Sequence, residues 1–208
     1  MAKSYPIDLA AHVPVEAVEP LIKLLHAHRI RLTIKSDRIT KLGDFRPAIN
    51  GSHARISVNG GLNLYEFLLV FLHELAHLFM HEKHGKKASP HGKEWKQEYG
   101  QLIRYFIEEG IFHQSLHDVL GKYSYKVRAA GIGDMELSKA LRRFDNSSEE
   151  PSWYFLEEIP QHAVFKTSSG RLFRKEDRVR RRYSCVSVDN SRKYLIHPLA
   201  RVWVAENN

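Results

Sequence analysis

Apolar residues recur at helical spacing through most of the first 145 residues of the chain. In the segment 92–109, for example, Trp95, Tyr99, Ile103 and Phe106 lie on one face of a helix. The same periodicity predicts three further helices, over residues 14–28, 114–120 and 135–144. Two stretches, RIRLTIK at 29–35 and the shorter run at 56–58, alternate with a period of two and predict half-buried strands. Between these strands, GDFRPAINGSH at 43–53 has the composition of a loop.

The longest apolar segment, LYEFLLVFLHELAHLFM at 64–80, is predicted to be a buried helix. Asn63 is its predicted N-cap, because Glu66 follows three residues later as in a capping box, and Gly85 is its predicted end. Ionisable residues interrupt the apolar run, so the segment does not have the character of a membrane span.

The pattern changes after residue 145. The segment DNSSEEPS at 145–152 is polar and contains a proline, which predicts a linker. Beyond it the chain consists of short alternating runs joined by turns, which predict strands: AVF, GRLF, RRRYSCVSV, RKYLI and ARVWV. We therefore expect an α+β domain over 1–150 and a small all-β module over 151–208.

Composition narrows the class of protein. A hydrophobic fraction of 43% and a charged fraction of 27% are typical of a soluble globular protein. The N-terminal segment lacks the pattern of a signal peptide, so we expect a cytoplasmic protein without a membrane partner. The single cysteine, Cys185, cannot form an internal disulfide and fits a reducing compartment.

Charge is distributed unevenly between the two predicted parts. The chain has a net charge of +8, of which residues 1–159 contribute +1 and residues 160–208 contribute +7. A basic C-terminal piece suits a polyanion, and nucleic acid is the expected one. The alternative is a solvated basic face that has no partner.

Five of the chain's 13 histidines lie between His73 and Trp95, in HELAHLFMHEKHGKKASPHGKEW. On a helix, His73 and His77 project from one face and can share a metal ion, and neutral imidazole nitrogen is a preferred zinc ligand. Glu74 lies beside that face, where its carboxylate can act as a general base. The alternative is a helix that carries two histidines for packing, but three ionisable groups in an apolar helix are costly without a shared purpose.

A catalytic zinc ion needs a third protein ligand. His81 lies eight residues from His73, about 12 Å of helical rise, which is too far for one ion to touch both. His84 fails for the same reason unless the helix ends early. His91 lies beyond a glycine and a proline, where the chain can reverse, and it is the predicted third ligand. His81 and His84 are therefore predicted to lie at the surface or behind the ligands.

These residues resemble the zinc site of the SprT family, bacterial proteins related to the eukaryotic protease Spartan. The resemblance includes the HGKEW after the metal helix and extends upstream through RITKLGDFRP and ISVNGGLNLYEFLLVFLHELAH, so that it covers about residues 15–110. It implies a zincin-like metallopeptidase domain with a small β-sheet, with one zinc ion on His73, His77 and His91 and with Glu74 as the general base. Since Spartan cleaves proteins crosslinked to DNA and needs DNA for activity, it also implies a protein substrate associated with DNA.

The C-terminal module departs from the family, whose members commonly end in a zinc ribbon built on two CxxC pairs. Cys185 matches one position, but Val188, Lys166 and Ser169 stand where the other thiols would be. One thiol cannot make a four-ligand structural site. We therefore expect a ribbon-like module without zinc, held together by apolar packing of Phe165, Phe173, Tyr183, Tyr194, Ile196 and Trp203.

Basic residues of this module alternate with aromatic ones and are candidates for contacts with phosphates and unpaired bases. The candidates are Arg171, Arg174, Arg178, Arg180, Arg181 and Arg182, accompanied by Lys175, Arg192 and Lys193, and in the first domain Lys86 and Lys87. The alternatives are aromatic rings that belong to the core and arginines that only face water.

The expected function is that of a zinc endopeptidase in which Glu74 activates water and the basic module brings the enzyme to DNA, including single-stranded DNA. This would place it in repair of DNA–protein crosslinks and, within the cytoplasm, at the nucleoid. The alternative is a nucleic-acid-binding or transcription-associated factor that contains zinc but has no significant protease activity. The two hypotheses differ at Glu74, because a structural zinc site does not use a base.

Overall fold

The computed structural model describes residues 8–36, 38, 41–49, 51–85, 89–128, 134–145 and 153–204. The chain divides into two compact units, Met1–Asp145 and Asn146–Asn208. The predicted boundary lay at residue 150, and the residues 146–152 of the predicted linker lie outside the described ranges. Five α-helices and two sheets within those ranges confirm the expected α+β class. No helix that the structure describes is both long enough and apolar enough to span a membrane.

The first unit combines five helices with a three-stranded sheet. Its helices are α1 (Val15–Ala27), α2 (Leu64–His84), α3 (Lys93–Glu108), α4 (His117–Tyr125) and α5 (Met135–Arg142). Its strands are β1 (Ile30–Lys35), β2 (Gly43–Arg46) and β3 (Ala54–Asn59). They are ordered β1-β3-β2, with β1 parallel and β2 antiparallel to β3.

Strand β2 lies where the sequence predicted a loop. It has only four residues, too few for a period of two to stand out, and Pro47 follows it directly. Its position is set by backbone pairing with β3, in which Phe45 faces Ile56. The prediction of a loop at 43–46 was therefore wrong, and the short strand forms one edge of the sheet.

Helix α2 is the centre of the first unit. Most of its residues are buried, and it packs against β2, β3 and α3. The predicted cap is confirmed, because the Asn63 side-chain oxygen accepts the backbone N–H of Glu66 at 2.9 Å. The Asn63 amide also donates to the Leu141 carbonyl at 3.1 Å, which connects the start of α2 to α5.

Helices α3 and α4 approach each other closely at Gly100. A methyl group at this position would lie 2.1 Å from the Ser124 carbonyl oxygen, so only glycine fits without a shift of the backbone. One residue earlier in α3, the Tyr99 hydroxyl donates to the Leu69 carbonyl of α2 at 3.0 Å. Helix α3 is thus held between α2 and α4.

The second unit is an antiparallel sheet of six strands in the order β4-β9-β5-β6-β7-β8. These strands are β4 (Tyr154–Phe155), β5 (Val164–Thr167), β6 (Leu172–Val179), β7 (Arg182–Ser187), β8 (Lys193–Ile196) and β9 (Arg201–Val204). Five of them were predicted, and the two-residue β4 was not. A residue pair gives too little alternation to be recognised in a sequence.

The core of the second unit agrees with the prediction except at one residue. Phe165 and Phe173 are buried at its centre with Cys185, and Tyr183, Tyr194 and Ile196 pack against them. Trp203 was predicted to belong to this core, but its neighbour Val202 is the buried residue of β9. Since side chains alternate between the faces of a strand, this is an error of one residue in register.

We predict that Gly100→Ala destabilises the first unit, because the new methyl group would force α3 and α4 apart. The free energy of unfolding should fall by about 1–3 kcal/mol, the usual cost of overpacking. Chemical denaturation monitored by circular dichroism would measure it. Gly121→Ala in α4 is the matched control, because no atom lies within 4 Å of its added methyl group. Equal stability of the two variants would contradict the close approach.

Candidate metal centre

Three histidine side chains converge at the face of α2 that meets α3. The Nε2 atom of His91 lies 3.0 Å from Nε2 of His77 and 3.1 Å from Nε2 of His73. One ligand atom from each of the three residues lies within 4.8 Å of those of the other two. The structure thus brings together the three histidines that were predicted as ligands.

The chemistry of these three nitrogens fits a metal ion such as zinc. Ligands at about 2.0–2.1 Å in a tetrahedral arrangement lie about 3.3 Å apart, close to the spacing found here. Burial lowers the pKa of His73 to about 3 and the pKa of His77 to about 4. Burial, followed by the positive charge of Lys96, also lowers the pKa of His91. All three imidazoles are therefore neutral at pH 7, the form that binds metal ions.

His91 reaches the other two histidines through an unusual backbone conformation. Helix α2 ends at Gly85, which has φ of 59°, and α3 begins at Lys93. Between the helices, His91 itself has φ of 60°, a left-handed conformation that costs a non-glycine residue about 1–2 kcal/mol. Such strain persists where the surrounding structure fixes the residue, commonly at functional sites.

Two aromatic residues of α3 position the histidine rings. Trp95 contacts all three, with ring centroids 4.6 Å from His73, 5.2 Å from His77 and 4.5 Å from His91. Tyr99, one turn later, lies 5.5 Å from His73. Both were predicted only as residues of the helix core, and their spacing of four residues within α3 places them on one face of that helix.

Glu74 is buried one residue after His73, against the edge strand β2. The backbone N–H of Phe45 lies near its carboxylate. Burial is the largest cause that raises the pKa of Glu74 to about 7, and the negative charge of Asp44 adds to it. The positive charges of Arg38 and Lys41 act in the opposite direction. A carboxyl group with a pKa near neutrality can both accept and release a proton.

Gly43 leaves the space that the Glu74 side chain fills. A methyl group on Gly43 would lie 2.4 Å from Oε1 of Glu74 and 2.8 Å from a methyl group of Val70. The contacts of Glu74 with β2 escaped sequence analysis because the segment was taken for a loop. The pattern GDF, a glycine and one apolar residue on either side of an aspartate, carries no local sign of such a contact.

The two histidines excluded as ligands lie further along α2. His81 is half-buried and its ring faces Phe45, with centroids 6.1 Å apart. His84 is exposed in the last turn of the helix, which does not end early. Neither belongs to the group of three converging nitrogens.

The arginines predicted to contact DNA in the second unit differ in their surroundings. The Arg171 guanidinium lies over two aromatic rings of the core, at 5.0 and 4.8 Å. Arg174 forms an ion pair with Glu176 at 2.7 Å. Arg182 donates to a backbone carbonyl of β8 at 3.3 Å. These contacts fix the orientation of the three side chains relative to the sheet.

The remaining arginines cluster at the hairpin that joins β6 and β7. Arg180 and Arg181 form its two-residue turn, and Arg180 has φ of 54°. Arg178 lies beside the turn, 5.9 Å from the Tyr183 ring, and Val179 is 46% exposed. The hairpin therefore ends in a basic tip at a position where glycine or asparagine is the usual residue.

The other basic residues that were predicted to contact DNA differ in their burial. Lys175 is buried, and its ammonium group donates to the backbone carbonyls of Ile159 at 2.6 Å and Glu157 at 3.3 Å. Its assignment to a DNA-binding surface was wrong, because this charge is used inside the unit. Arg192 and Lys193 are exposed, whereas Lys86 and Lys87 lie outside the described residues.

No protein-family model, curated protein or solved structure matches this chain. The resemblance to the SprT family therefore rests on the motif residues themselves.

We predict that His91→Ala lowers zinc content by at least about tenfold, because loss of one of three nitrogen ligands removes much of the affinity. His84→Ala, a change of the same residue type on the exposed end of α2, should keep zinc at the wild-type level. Atomic emission analysis of purified protein after dialysis would measure both. Zinc loss in His84→Ala and retention in His91→Ala would contradict the assignment.

Proposed function

We propose that this protein is a zinc-dependent metallopeptidase of the SprT type that acts on proteins associated with DNA. The observation that carries the proposal is the convergence of three neutral imidazole nitrogens, with the buried carboxylate of Glu74 directly after His73 in the sequence. A zincin-like arrangement of the first unit is part of the proposal, supported by a helix that carries two of the three converging histidines and packs against a small sheet.

His73, His77 and His91 would hold the zinc ion and leave a position open. When bound, zinc supplies Lewis acidity that polarises a carbonyl group and makes water a nucleophile near pH 7. Trp95 keeps the three rings in place from the side of α3. The protein thus supplies a neutral and partly buried set of ligands.

Glu74 is proposed as the general base and, afterwards, as the general acid. Its carboxylate would accept a proton from the attacking water and transfer it to the amine that leaves when the peptide bond breaks. Efficient proton transfer in both directions requires a pKa close to the working pH, and the pKa of Glu74 is raised to about 7. Gly43 of strand β2 leaves the space that this side chain occupies.

Strand β2 is a suitable place for an extended substrate. It is the edge strand of its sheet, and among the described strands only β3 pairs with it. Extended peptides commonly bind by adding a strand to such an edge. Because Gly43 of this strand lies against the Glu74 side chain, a peptide bound there would run close to the proposed base.

DNA is the proposed partner of the second unit. The basic tip of the β6–β7 hairpin brings Arg178, Arg180, Arg181 and Arg182 into one short segment. Guanidinium groups pair with phosphates through charge and bidentate hydrogen bonds, and an excess of seven positive charges after residue 159 favours the same partner.

We predict that Glu74→Gln lowers kcat for cleavage of a DNA-binding protein by about 10² to 10⁴, the usual contribution of general acid–base catalysis. The amide keeps the size of the side chain but cannot accept the proton, so zinc content should stay unchanged. Cleavage of a histone would be followed by gel electrophoresis with and without single-stranded DNA. Glu82→Gln on the exposed side of the same helix is the matched control. A Glu74→Gln protein that retains zinc and cleaves at the wild-type rate would contradict the mechanism.

We also predict that Gly43→Ala impairs cleavage without loss of zinc. The added methyl group would displace the Glu74 carboxylate, and a displacement of about 1 Å can lower kcat about 100-fold. The same cleavage assay, with zinc analysis alongside, would measure this. Gly121→Ala should leave kcat unchanged. Normal kcat for Gly43→Ala would show that the contact between β2 and Glu74 has no catalytic role.

A further inference from the structure

A pocket of about 380 Å³ lies on the outer face of the three-stranded sheet. Side chains alternate between the two faces of a strand, so that Leu32 and Val58 point into the core while their neighbours in sequence point away from it. The pocket lies on this second face and reaches the edge strand β2 at Asp44 and Arg46. Its described lining residues include neither the converging histidines nor the arginines of the β6–β7 hairpin.

The charged side chains around this pocket are mostly positive. Among the lining residues that the structure describes, five are cationic and one is a carboxylate: Lys35, Arg38, Lys41, Arg46 and Arg55, and Asp44. Asp44 is already shared by two of these cations, because Lys41 lies 2.7 Å and Arg46 lies 3.0 Å from its oxygens. The pocket therefore keeps an excess of positive charge, which favours an anionic ligand.

Arg38 is held in the pocket by groups that carry no charge. Its guanidinium donates to the Asn59 side-chain oxygen at 2.8 Å, to the Ser57 hydroxyl at 3.1 Å and to the Leu42 carbonyl at 3.3 Å. These contacts fix the orientation of the guanidinium and leave its charge in place. Because a group that is ordered before a ligand arrives loses little conformational entropy on binding, Arg38 is a preorganised part of the pocket.

Arg46 and Arg55 stand directly opposite each other on β2 and β3. Like charges in this position destabilise a sheet. Both side chains are exposed, and Arg46 shares its carboxylate partner, Asp44, with Lys41. A carboxylate bound between the two guanidinium groups would relieve their repulsion, and guanidinium and carboxylate groups form paired, charge-assisted hydrogen bonds.

We propose that this pocket is a specificity site for acidic side chains of a substrate peptide that adds a strand to the edge of β2. Successive side chains of the added strand point to opposite faces of the sheet. One set would face α2, where Gly43 lies against the Glu74 side chain, and the other set would face the pocket. Glutamates at every second position would thus meet Arg46 and Arg55 while the peptide passes the proposed base.

A peptide fits this place better than a nucleic acid. The edge of β2 presents backbone N–H and C=O groups that can pair with another peptide chain. The lining residues that the structure describes include no aromatic ring, so the pocket has no surface on which a base could stack. Cations beside groups that pair with a backbone form an arrangement that recognises acidic residues in an extended chain.

A preference for acidic residues would determine which part of a DNA-bound protein is cut. The segments by which proteins contact DNA are rich in lysine and arginine, and phosphates cover them. Acidic segments of the same proteins are repelled by DNA and stay accessible to an edge strand. The inference rests on the proposed peptidase function, and it directs cleavage to the parts of a substrate that do not hold DNA.

The first test measures binding of fluorescein-labelled octapeptides to the full-length Glu74→Gln protein by anisotropy. A peptide of alternating threonine and glutamate should bind more tightly than one of the same composition with its glutamates in adjacent pairs, because only alternation places all of them on one face. Arg46→Gln or Arg55→Gln should weaken binding of the alternating peptide about 2-fold to 5-fold, the contribution of one exposed ion pair. Higher salt should weaken it as well.

Arg31→Gln is the matched control for these variants. Arg31 is also exposed and faces the same side as Arg55, its partner in register, but it lies on β1, outside the pocket and on the side of β3 away from β2. This variant should bind the alternating peptide at close to the wild-type level. Zinc content and circular dichroism would verify that each variant is folded.

The second test measures which peptide bonds are cut in a peptide library prepared from a digested proteome, with mass spectrometry as the readout. Glutamate and aspartate should be enriched at alternate positions around the sites cut by the wild type and by Arg31→Gln. The enrichment should fall in Arg55→Gln. Because it compares positions within one digest, a general loss of activity would leave it unchanged.

The outcomes separate this inference from the proposed function. Cleavage without acidic enrichment, together with equal binding of the two octapeptides, would overturn the inference and leave the peptidase function standing. Absence of zinc-dependent cleavage, together with Arg55-dependent binding of the alternating peptide, would contradict the peptidase function and support the pocket as a site for acidic peptides. Binding of a thymidine oligonucleotide that depends on Arg46 and Arg55, without such dependence for the peptides, would assign the pocket to nucleic acid and overturn the inference.

Discussion

The burial of ionisable groups inside an apolar helix is the constraint on which the first unit depends. His73, Glu74 and His77 occupy three of the five positions of HELAH, between leucines that are fully buried. Charged forms of these groups would be costly there, so the imidazoles stay neutral and the pKa of Glu74 rises. The same desolvation that disfavours charge gives the imidazoles free electron pairs and gives the carboxyl group a proton affinity suited to transfer.

The rest of the first unit holds these groups from two sides. Helix α3 contributes the ring of Trp95 and the hydrogen bond from the Tyr99 hydroxyl to the Leu69 carbonyl. Gly100 allows α4 to pack closely against α3. On the other side, β2 contributes a backbone N–H and the space at Gly43. Residues without a proposed catalytic or metal-binding role thus determine where the reactive atoms lie.

The sequence predicts the elements whose periodicity is long and the residues whose spacing is tied to that periodicity. Helices α1, α2 and α3 and the pair His73 and His77 follow from apolar spacing, and elimination by helical rise leads to His91. Strand β2 is missed because its role comes from one backbone N–H and a missing Cβ, which no side-chain pattern records. In the second unit, the predictions for Trp203 and Lys175 were wrong. The large ring of Trp203 suggested a core position and the charge of Lys175 suggested the surface, but the register of the strands places each side chain otherwise. Contacts of this kind depend on residues distant in sequence.

Cys185 has a consequence for how the protein responds to oxidants. It is the sole sulfhydryl of the chain, it is fully buried in the second unit, and burial raises the pKa of its thiol to about 11. At pH 7 only about one molecule in ten thousand carries the reactive thiolate. The Cys185 thiol is therefore expected to react slowly with peroxide and with oxidised glutathione as long as the second unit stays folded.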